Sequence, residues 1–186
     1  KLHREKNITV IMVTHKISEA LMADRVYILD NSKIVAEGTP EDVFTDVERL
    51  KKYGLEIPVR MKLEAGIPVD ICSEYKKKHL QISQDAGVLA DHIGDSGNSL
   101  SNLRRCIVEL QNVSYSYMNG NEEYKALSDI DLKIYEGQVV SVIGQTGSGK
   151  STLLQMINKL IAPQSGHVYL YETDVQRVRN IKDIRR

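Results

Sequence analysis

The sequence contains few of the residues that mark several protein classes, and each shortage excludes one class. Among its 186 residues there is no tryptophan, one phenylalanine and only two cysteines, Cys72 and Cys106. These cysteines lack the spacing of a zinc site and are too few for a disulfide framework, so we interpret them as thiols of a reducing compartment. No stretch approaches the roughly 18–20 consecutive apolar residues of a membrane-spanning helix. The first residues do not have the pattern of a signal peptide.

The sequence also has no excess of charge of either sign. Lysine and arginine together number 25, as do aspartate and glutamate, so the formal net charge is zero. Affinity for nucleic acid rises with the number of lysine and arginine contacts to phosphate, and we therefore expect no nucleic-acid partner. Apolar residues make up 41% of the chain, which allows a core of modest size in one or two small domains.

We expect both ends of the sequence to interrupt secondary structure. Residues 1–6 have the pattern of a charged helix end that runs directly into an apolar strand, and residues 180–186 stop without a closing element. This pattern predicts a segment of a longer protein.

The first block of the chain alternates between strand and helix patterns. Residues 8–13 form an uninterrupted apolar run, which is typical of a strand covered on both faces in a parallel sheet. A short helix is predicted over 18–23. Two β-rich runs, 25–29 and 33–36, then flank the turn residues 30–32 and predict a hairpin.

A further helix is predicted to begin after Thr39. Thr39 can cap this helix, Pro40 in the first turn loses no needed donor, and the acidic residues that follow complement the helix dipole. We expect the helix to continue, with a break, as far as Gly54, which ends it.

Residues 55–105 have the weakest patterns in the sequence. The pairs Ile57-Pro58 and Ile67-Pro68 break regular structure. A polar helix is predicted over 74–82, and residues 94–102 have the composition of a linker.

A second block with strong periodicity begins at Cys106. The predicted elements are strands around 108–113, 130–134, 139–143 and 167–171, a polar loop over 119–123 and a helix over 150–161. Pro163 and Gly166 are expected to end that helix before the last strand.

The strongest motif of the sequence follows the strand predicted over 139–143. It matches the pattern G-x-x-x-x-G-K-[ST] at every position and consists of Gly144, Gln145, Thr146, Gly147, Ser148, Gly149, Lys150 and Ser151. Glycines let the backbone form a cradle of N–H groups for phosphate oxygens, and the next helix directs its positive end to the same place. Lys150 supplies a mobile charge, the Ser151 hydroxyl is a ligand for Mg²⁺, and Thr152 is placed to assist.

The motif therefore predicts a site for ATP and Mg²⁺. The alternative is a glycine-rich turn that matches the pattern by chance. An apolar strand before the motif and an amphipathic helix after it disfavour that alternative, because the chemistry of the motif requires this context.

Two separate blocks of the sequence resemble one family, the ATPases of ABC transporters. Residues 106–170 are similar to the N-terminal part of such an ATPase through Val113-Ser114-Tyr115-Ser116-Tyr117, Ala126-Leu127-Ser128-Asp129-Ile130 and residues 144–153. Residues 1–44 are similar to its C-terminal part through Val13-Thr14-His15, Glu19-Ala20, Ala23-Asp24-Arg25 and Glu37-Gly38-Thr39-Pro40. The resemblance implies an α/β fold made of P-loop NTPase pieces, with a mostly parallel core sheet and an antiparallel β-subdomain in incomplete domains.

The sequences of residues 144–153 and 50–58 resemble those of the energy-coupling-factor branch of that family. Membership of that branch implies an ATPase that works with a second ATPase domain and with transmembrane coupling and substrate-binding subunits. It also implies uptake of vitamins or transition-metal ions, at the cytoplasmic face of the membrane.

The resemblance assigns roles to two further residues. His15 corresponds to the switch histidine, which contacts the γ-phosphate and the attacking water, so His15 and Lys150 are the implied catalytic residues. Tyr117 corresponds to the aromatic that stacks on adenine, and an ordinary sheet aromatic is the alternative. Lys16 departs from the family pattern, in which Asp or an apolar residue commonly follows the histidine.

The order of the two blocks is reversed relative to one complete domain. His15 precedes Lys150, no Leu-Ser-Gly-Gly signature lies between them, and no apolar run ends in Asp-Glu. We therefore interpret residues 1–54 as the end of one ATPase domain, 55–105 as a helical extension and linker, and 106–186 as the start of a second domain.

A circularly permuted domain with a deletion remains the rival, because the resemblance implies that the switch strand lies near the phosphate-loop strand, so that residues 8–13 could lie in one sheet with residues 139–143. In either case the general base is absent, and we expect no ATP hydrolysis by this segment alone. Two other function classes stay open: a non-catalytic nucleotide-binding module, and a soluble ABC protein of translation or DNA repair.

Overall fold

The structure, a computed structural model, describes residues 7–64, 66 and 104–178. Its strands are β1 (Val10–Thr14), β2 (Arg25–Asp30), β3 (Lys33–Gly38), β4 (Cys106–Asn119), β5 (Glu122–Tyr135), β6 (Val139–Ile143), β7 (Ser165–Leu170) and β8 (Thr173–Asp174). Its helices are α1 (Ile17–Ala20), α2 (Pro40–Phe44), α3 (Val47–Lys52), α4 (Val59–Glu64) and α5 (Lys150–Ile157). The patterns predicted over 74–82 and 94–102 lie outside the described residues.

The first sheet has the strand order β1-β6-β2-β3 and is mostly parallel. β6 pairs in parallel with β1 on one side and β2 on the other, so that Ile143 lies opposite both Thr14 and Ile28. β3 pairs with β2 in the antiparallel direction. This arrangement confirms the predicted neighbourhood of the strands over 8–13 and 139–143, and it confirms the mostly parallel core sheet.

The second sheet has the order β5-β4-β7-β8 and is antiparallel throughout, as predicted for the β-subdomain. β4 and β5 are 14 residues each and form a long hairpin. The polar loop expected over 119–123 is wrong: Asn119 already pairs with Glu122, which leaves a turn of two residues. Gly120 makes this turn possible because its φ is +63°.

The hairpin of β2 and β3 confirms the prediction made from residues 25–36. Its two central residues, Asn31 and Ser32, have φ values of +45° and +68°, the left-handed pair that matches the twist of a hairpin. The Ser32 hydroxyl donates to the Lys125 carbonyl at 2.6 Å, and the Ser128 amide donates to the Ser32 carbonyl at 2.8 Å. The turn therefore lies against β5 of the second sheet.

The helix predicted after Thr39 is confirmed, and its break is located. Thr39 caps α2 in a capping box with Asp42, and Pro40 is in the first turn. Asp46 then caps α3 by accepting a hydrogen bond from the Arg49 amide at 3.0 Å. The segment ends at the residue expected, Gly54.

Two predicted helices are shorter than expected. The helix predicted over 18–23 spans only Ile17–Ala20. The helix predicted over 150–161 ends at Ile157, before Pro163 is reached. Its last turn closes on Lys159 at φ +54°, with amides returning to the Met156 and Gln155 carbonyls at 2.9 and 2.8 Å. This is a Schellman ending without glycine, which composition alone does not predict.

The buried apolar residues form two clusters, one on each side of the first sheet. The larger cluster fills the space between the two sheets and α5 and includes Leu29, Leu110, Ile130, Val142 and Leu153. The smaller cluster packs α1, α2 and α3 on the other face and includes Ile17, Val26, Phe44, Leu50 and Ile143. Within the described ranges, no helix combines the length and apolar character needed to cross a membrane.

Candidate functional site

The predicted phosphate loop connects β6 to α5. β6 ends at the fully buried Ile143, and α5 begins at Lys150. Six residues, 144–149, thus connect the central strand of the first sheet to the start of a helix, which confirms the strand–loop–helix context that the motif requires.

The two outer glycines of the loop lie against backbone carbonyls that leave no room for a side chain. A Cβ on Gly144 would lie 2.1 Å from the Leu29 carbonyl oxygen in β2. A Cβ on Gly149 would lie 2.2 Å from the Ala126 carbonyl oxygen in β5, and Gly149 has φ +106°. The loop is therefore held between the first sheet at one end and the second sheet at the other.

Lys150 extends back over the loop from the start of α5. Its ammonium donates to the Gly144 carbonyl at 2.8 Å, to the Ser148 hydroxyl at 3.2 Å and to the Gln145 carbonyl. Partial burial lowers the pKa of this ammonium, because desolvation penalises its charged form. The positive charge that the motif requires is thus located at the loop.

A cavity of about 280 Å³ lies beside the loop. Its walls are Tyr124, Ala126, Thr146, Gly147, Gly149, Lys150, Ser151 and Thr152. Ser151 is exposed in the first turn of α5, whereas Thr152 is buried. The structure therefore brings six of the predicted site residues around one cavity, and the hydroxyl that would hold Mg²⁺ is accessible from solvent.

Three predicted loop residues do not line the cavity: Gly144, which lies against the Leu29 carbonyl, Ser148 and Gln145. Ser148 is 5% exposed and is covered by the Lys150 side chain. Gln145 lies against the turn after α3: a Cβ added to Gly54 would lie 1.3 Å from the Gln145 Nε2. The first block of the chain thus contacts the phosphate loop, a contact that the sequence did not indicate.

Tyr117 lies on β4 above the start of α5. Its hydroxyl is 3.4 Å from both Thr152 Oγ1 and Gln155 Oε1, and its ring makes an edge contact with Tyr115 at 5.0 Å. The ring is 38% exposed. Tyr117 is thus placed beside the phosphate helix, although it is not part of the cavity wall.

Tyr124 was missed in the sequence. It pairs directly with Tyr117 across the β4–β5 hairpin, and its hydroxyl donates to the Gly147 carbonyl at 2.7 Å. The dipeptide Gly120-Asn121 is a hairpin signal, and reading it as a two-residue turn would have placed Tyr117 opposite Tyr124.

His15 follows the last residue of β1 and is exposed. Because Thr14 pairs in parallel with Ile143, the carboxyl ends of β1 and β6 lie at the same edge of the sheet, and His15 is on the edge that carries the phosphate loop. The Thr14 hydroxyl donates to the Glu19 carboxylate and accepts from the Lys16 amide at 3.1 Å. These contacts fix the backbone on both sides of His15.

A larger groove of about 630 Å³ lies between the β2–β3 hairpin and the second sheet. Its charged walls include two ion pairs, Arg25–Glu37 at 3.2 Å and Lys133–Glu109 at 3.1 Å. The groove contains no part of the phosphate loop. We therefore regard the smaller cavity as the candidate site, because it is the one at which the loop amides and Lys150 meet.

Comparison with known proteins points to one family for the segment that carries the loop. Residues 127–186 match the family model described as "ABC transporter". The protein named "Putative ABC transporter ATP-binding protein" in Caldanaerobacter subterraneus subsp. tengcongensis is 33% identical over 190 residues, which cover 95% of this chain and 32% of that protein. A protein of the same name in Methanosarcina mazei is 29% identical over 196 residues, with 95% and 32% covered.

The chain is therefore related in sequence to ABC transporter ATP-binding proteins, and it spans about a third of the length of the curated relatives it matches. Among solved structures, cbiO1 from Clostridium perfringens, part of the ABC transporter complex cbiONQ, overlaps 44% of this chain and 32% of its own. That overlap has 29% identity and a TM-score of 0.38.

Proposed function

We propose that this chain binds ATP and Mg²⁺ at residues 144–151 and serves as part of the ATP-binding subunit of an ABC transporter. The observation that carries the proposal is the cradle itself. Gly144 and Gly149 are each closed against a carbonyl where no side chain fits, and Lys150 is held over the loop between them. A chance glycine-rich turn would not need either constraint.

The residues of the loop have separate tasks in this proposal. The loop amides and the start of α5 hold the phosphate oxygens. Lys150 exchanges its carbonyl partners for the outer phosphates, and the Ser151 hydroxyl holds Mg²⁺, with Thr152 beside it. The bound Mg²⁺ supplies charge neutralisation at the phosphates.

We extend the proposal to His15 and Tyr117 with the roles that the family resemblance implies. His15 would contact the terminal phosphate and the attacking water, and its position at the loop edge of the first sheet supports this role. Tyr117 would contact the adenine, and its position above the first turn of α5 supports that role.

The intact protein would contain two ATPase domains, with residues 1–54 ending one, 55–105 linking, and 106–186 beginning the next. The strands β1, β2 and β3, which share a sheet with β6 in this chain, would then belong to a different domain from β6 in the intact protein. The relative from Caldanaerobacter supports this division, because one alignment covers 95% of the chain, and so both blocks occur there in the same order within a protein about three times as long. A signature motif and an acidic general base would then lie in the remaining parts of each domain.

The transporter would be an energy-coupling-factor importer of vitamins or transition-metal ions, located at the cytoplasmic face of the membrane. Its partners would be a second ATPase domain and transmembrane coupling and substrate-binding subunits. The resemblance of residues 144–153 and 50–58 to sequences of this branch supports the assignment.

Calorimetric titration of the 186-residue chain with Mg-ATP tests the proposal. Lys150→Ala should weaken binding about tenfold or more, since a hydrogen bond from a charged group is lost. Lys133→Ala is the matched control: this lysine pairs with Glu109 at the far end of β5, and its removal should leave affinity within about twofold.

A phosphate-release assay on the same samples tests the expectation that this chain lacks a general base for ATP hydrolysis. We expect no Mg-ATP turnover by the chain alone. A rate comparable to that of complete ABC ATPases, abolished by Lys150→Ala, would contradict this expectation. Equal Mg-ATP affinity in the wild-type chain and Lys150→Ala would refute the site itself.

A further inference from the structure

Tyr124 combines an exposed ring with a hydroxyl that is bonded to the phosphate loop. The residue lies near the start of β5 and its side chain is 53% exposed. Its hydroxyl donates to the Gly147 carbonyl at 2.7 Å, at the exposed tip of the loop. One hydrogen bond thus holds the side chain beside the loop, while about half of the residue's surface remains exposed.

The cavity beside the loop has two kinds of wall. Six of its eight lining residues belong to the loop and the first turn of α5, and the other two, Tyr124 and Ala126, belong to β5. The proposed function places the phosphates at the loop side, which leaves the β5 side as the remaining wall for the rest of the nucleotide. Tyr124 is the only aromatic residue among the eight.

Tyr117 has a different position, although it pairs with Tyr124 across the hairpin and shares its face of the sheet. The Tyr117 hydroxyl is directed to α5, 3.4 Å from Thr152 Oγ1 and from Gln155 Oε1. Tyr117 is not among the residues that line the cavity. The two tyrosines therefore have different surroundings: Tyr124 lines the cavity, whereas Tyr117 contacts α5.

We propose that Tyr124 is a nucleoside-contacting residue whose ring packs against the sugar or base of the nucleotide as it leaves the loop. The inference rests on the proposed ATP site and deepens it, because it names the part of the ligand that β5 recognises. The hydrogen bond to Gly147 sets the position of the ring, and the aromatic surface supplies the contact.

The test compares two ligands that share their phosphates and differ in the nucleoside, Mg-ATP and Mg-tripolyphosphate. In calorimetric titrations of the whole chain, Tyr124→Leu should weaken Mg-ATP at least about fivefold, which is the scale of a base–aromatic contact. The same variant should leave tripolyphosphate within about twofold. Tyr124→Phe retains the ring and should keep most of the Mg-ATP affinity. Tyr135→Leu, at the other end of the same strand, is the matched control.

Each other outcome overturns the proposal. If Tyr124→Leu weakens both ligands equally, the residue only supports the loop, and if it weakens neither, the ring makes no contact. If the wild-type chain binds neither ligand, both the ATP site and this proposal are refuted. If the wild-type chain binds both ligands and Tyr124→Leu changes neither affinity, only this proposal is refuted.

The wild-type chain gives a second readout that does not depend on the folding of a variant. The ring resonances of Tyr124, assigned by comparison with Tyr124→Phe, should shift further on addition of Mg-ATP than of Mg-tripolyphosphate. Equal shifts with the two ligands would contradict a nucleoside contact.

Discussion

The two sheets of this molecule are assembled from the chain in different ways. All four strands of the second sheet lie between Cys106 and Asp174, and its longest hairpin closes through a two-residue turn. The first sheet instead joins β1, β2 and β3 to β6, which begins about a hundred residues after β3 ends. One sheet therefore forms within the single stretch Cys106–Asp174, whereas the other must close a long loop before the contacts of β6 with β1 and β2 are made.

The phosphate loop lies where the two sheets meet. At one end Gly144 lies against Leu29 of the first sheet, and at the other Gly149 lies against Ala126 of the second. The Tyr27 hydroxyl, on β2, connects the sheets further along by donating to the Lys133 carbonyl of β5 at 2.7 Å. Correct docking of the long-range sheet on the local one should thus be a condition for nucleotide binding.

The largest loss of Mg-ATP affinity should come from adding a side chain at Gly144, which lies against the first sheet, or at Gly149, which lies against the second. Gly149→Ala meets the Ala126 carbonyl of the second sheet and also forces alanine to φ +106°. Gly144→Ala meets the Leu29 carbonyl of the first sheet and, at 2.7 Å, the Ser148 hydroxyl of the loop, without a left-handed backbone. Both variants should lose at least about tenfold in Mg-ATP affinity, and Gly149→Ala should lose more, because the left-handed backbone adds about 1–2 kcal/mol.

Gly120→Ala is the control for backbone strain in that comparison. Gly120 has φ +63°, and in the part of the chain that the structure describes no atom beyond its two chain neighbours lies within 4 Å of an added Cβ. It should lower the free energy of unfolding by about 1–2 kcal/mol and leave Mg-ATP affinity unchanged. Equal affinities in all three variants would show that the loop is not held between the sheets.

A smaller effect is expected from the hydrogen bond that joins the sheets. Tyr27 is 1% exposed, and its hydroxyl also accepts from Arg25 Nε at 3.0 Å. Tyr27→Phe leaves the Lys133 carbonyl without this donor and should lower the free energy of unfolding by about 1–3 kcal/mol. Urea denaturation measures this loss, with Tyr135→Phe as a less buried control. A change below about 0.5 kcal/mol would mean that the sheets are joined by apolar packing alone.

The smallest effect is a pH dependence of the same contact. Burial raises the pKa of the Tyr27 hydroxyl, although the Arg25 guanidinium opposes this shift. The unfolded chain therefore releases this proton first, at the ordinary tyrosine pKa of about 10, and stability falls as pH rises above that value. The contribution is fully present below that pH. Between about pH 9 and 11 the wild-type chain should lose stability more steeply than Tyr27→Phe, and parallel curves would contradict the prediction.

The strand–loop–helix unit could be predicted from sequence because its signals are local. For the second sheet only parts of β4, β5 and β7 were predicted, and its antiparallel arrangement was implied by the family resemblance. Alternation at Ile130 and Leu132, the apolar run before Gly144 and the motif itself each act within a few residues. The first sheet could be predicted only in part. Its strands and hairpin turn have local patterns, whereas the neighbourhood of residues 8–13 and 139–143 was expected from family resemblance rather than from periodicity.

The errors of prediction have physical reasons that short patterns do not contain. The end of α5 is set by Lys159, which adopts the left-handed conformation that glycine usually supplies. The contact between Gln145 and Gly54 depends on how α3 packs beside the loop, which is a tertiary matter. Tyr124 was overlooked because the turn at Gly120 was taken as a loop, and the register of the hairpin was lost with it.

The self-contacts of Lys150 bear on how tightly the loop can hold an anion. Its ammonium already has three oxygen acceptors within the motif, the Gly144 and Gln145 carbonyls and the Ser148 hydroxyl. A polyphosphate bound at the proposed site would therefore replace these acceptors of Lys150. The free energy that the lysine contributes to binding would be the difference between its bonds to phosphate and its present bonds. At the proposed site these acceptors would compete with phosphate for the lysine, which would weaken the hold on a bound anion and ease its release.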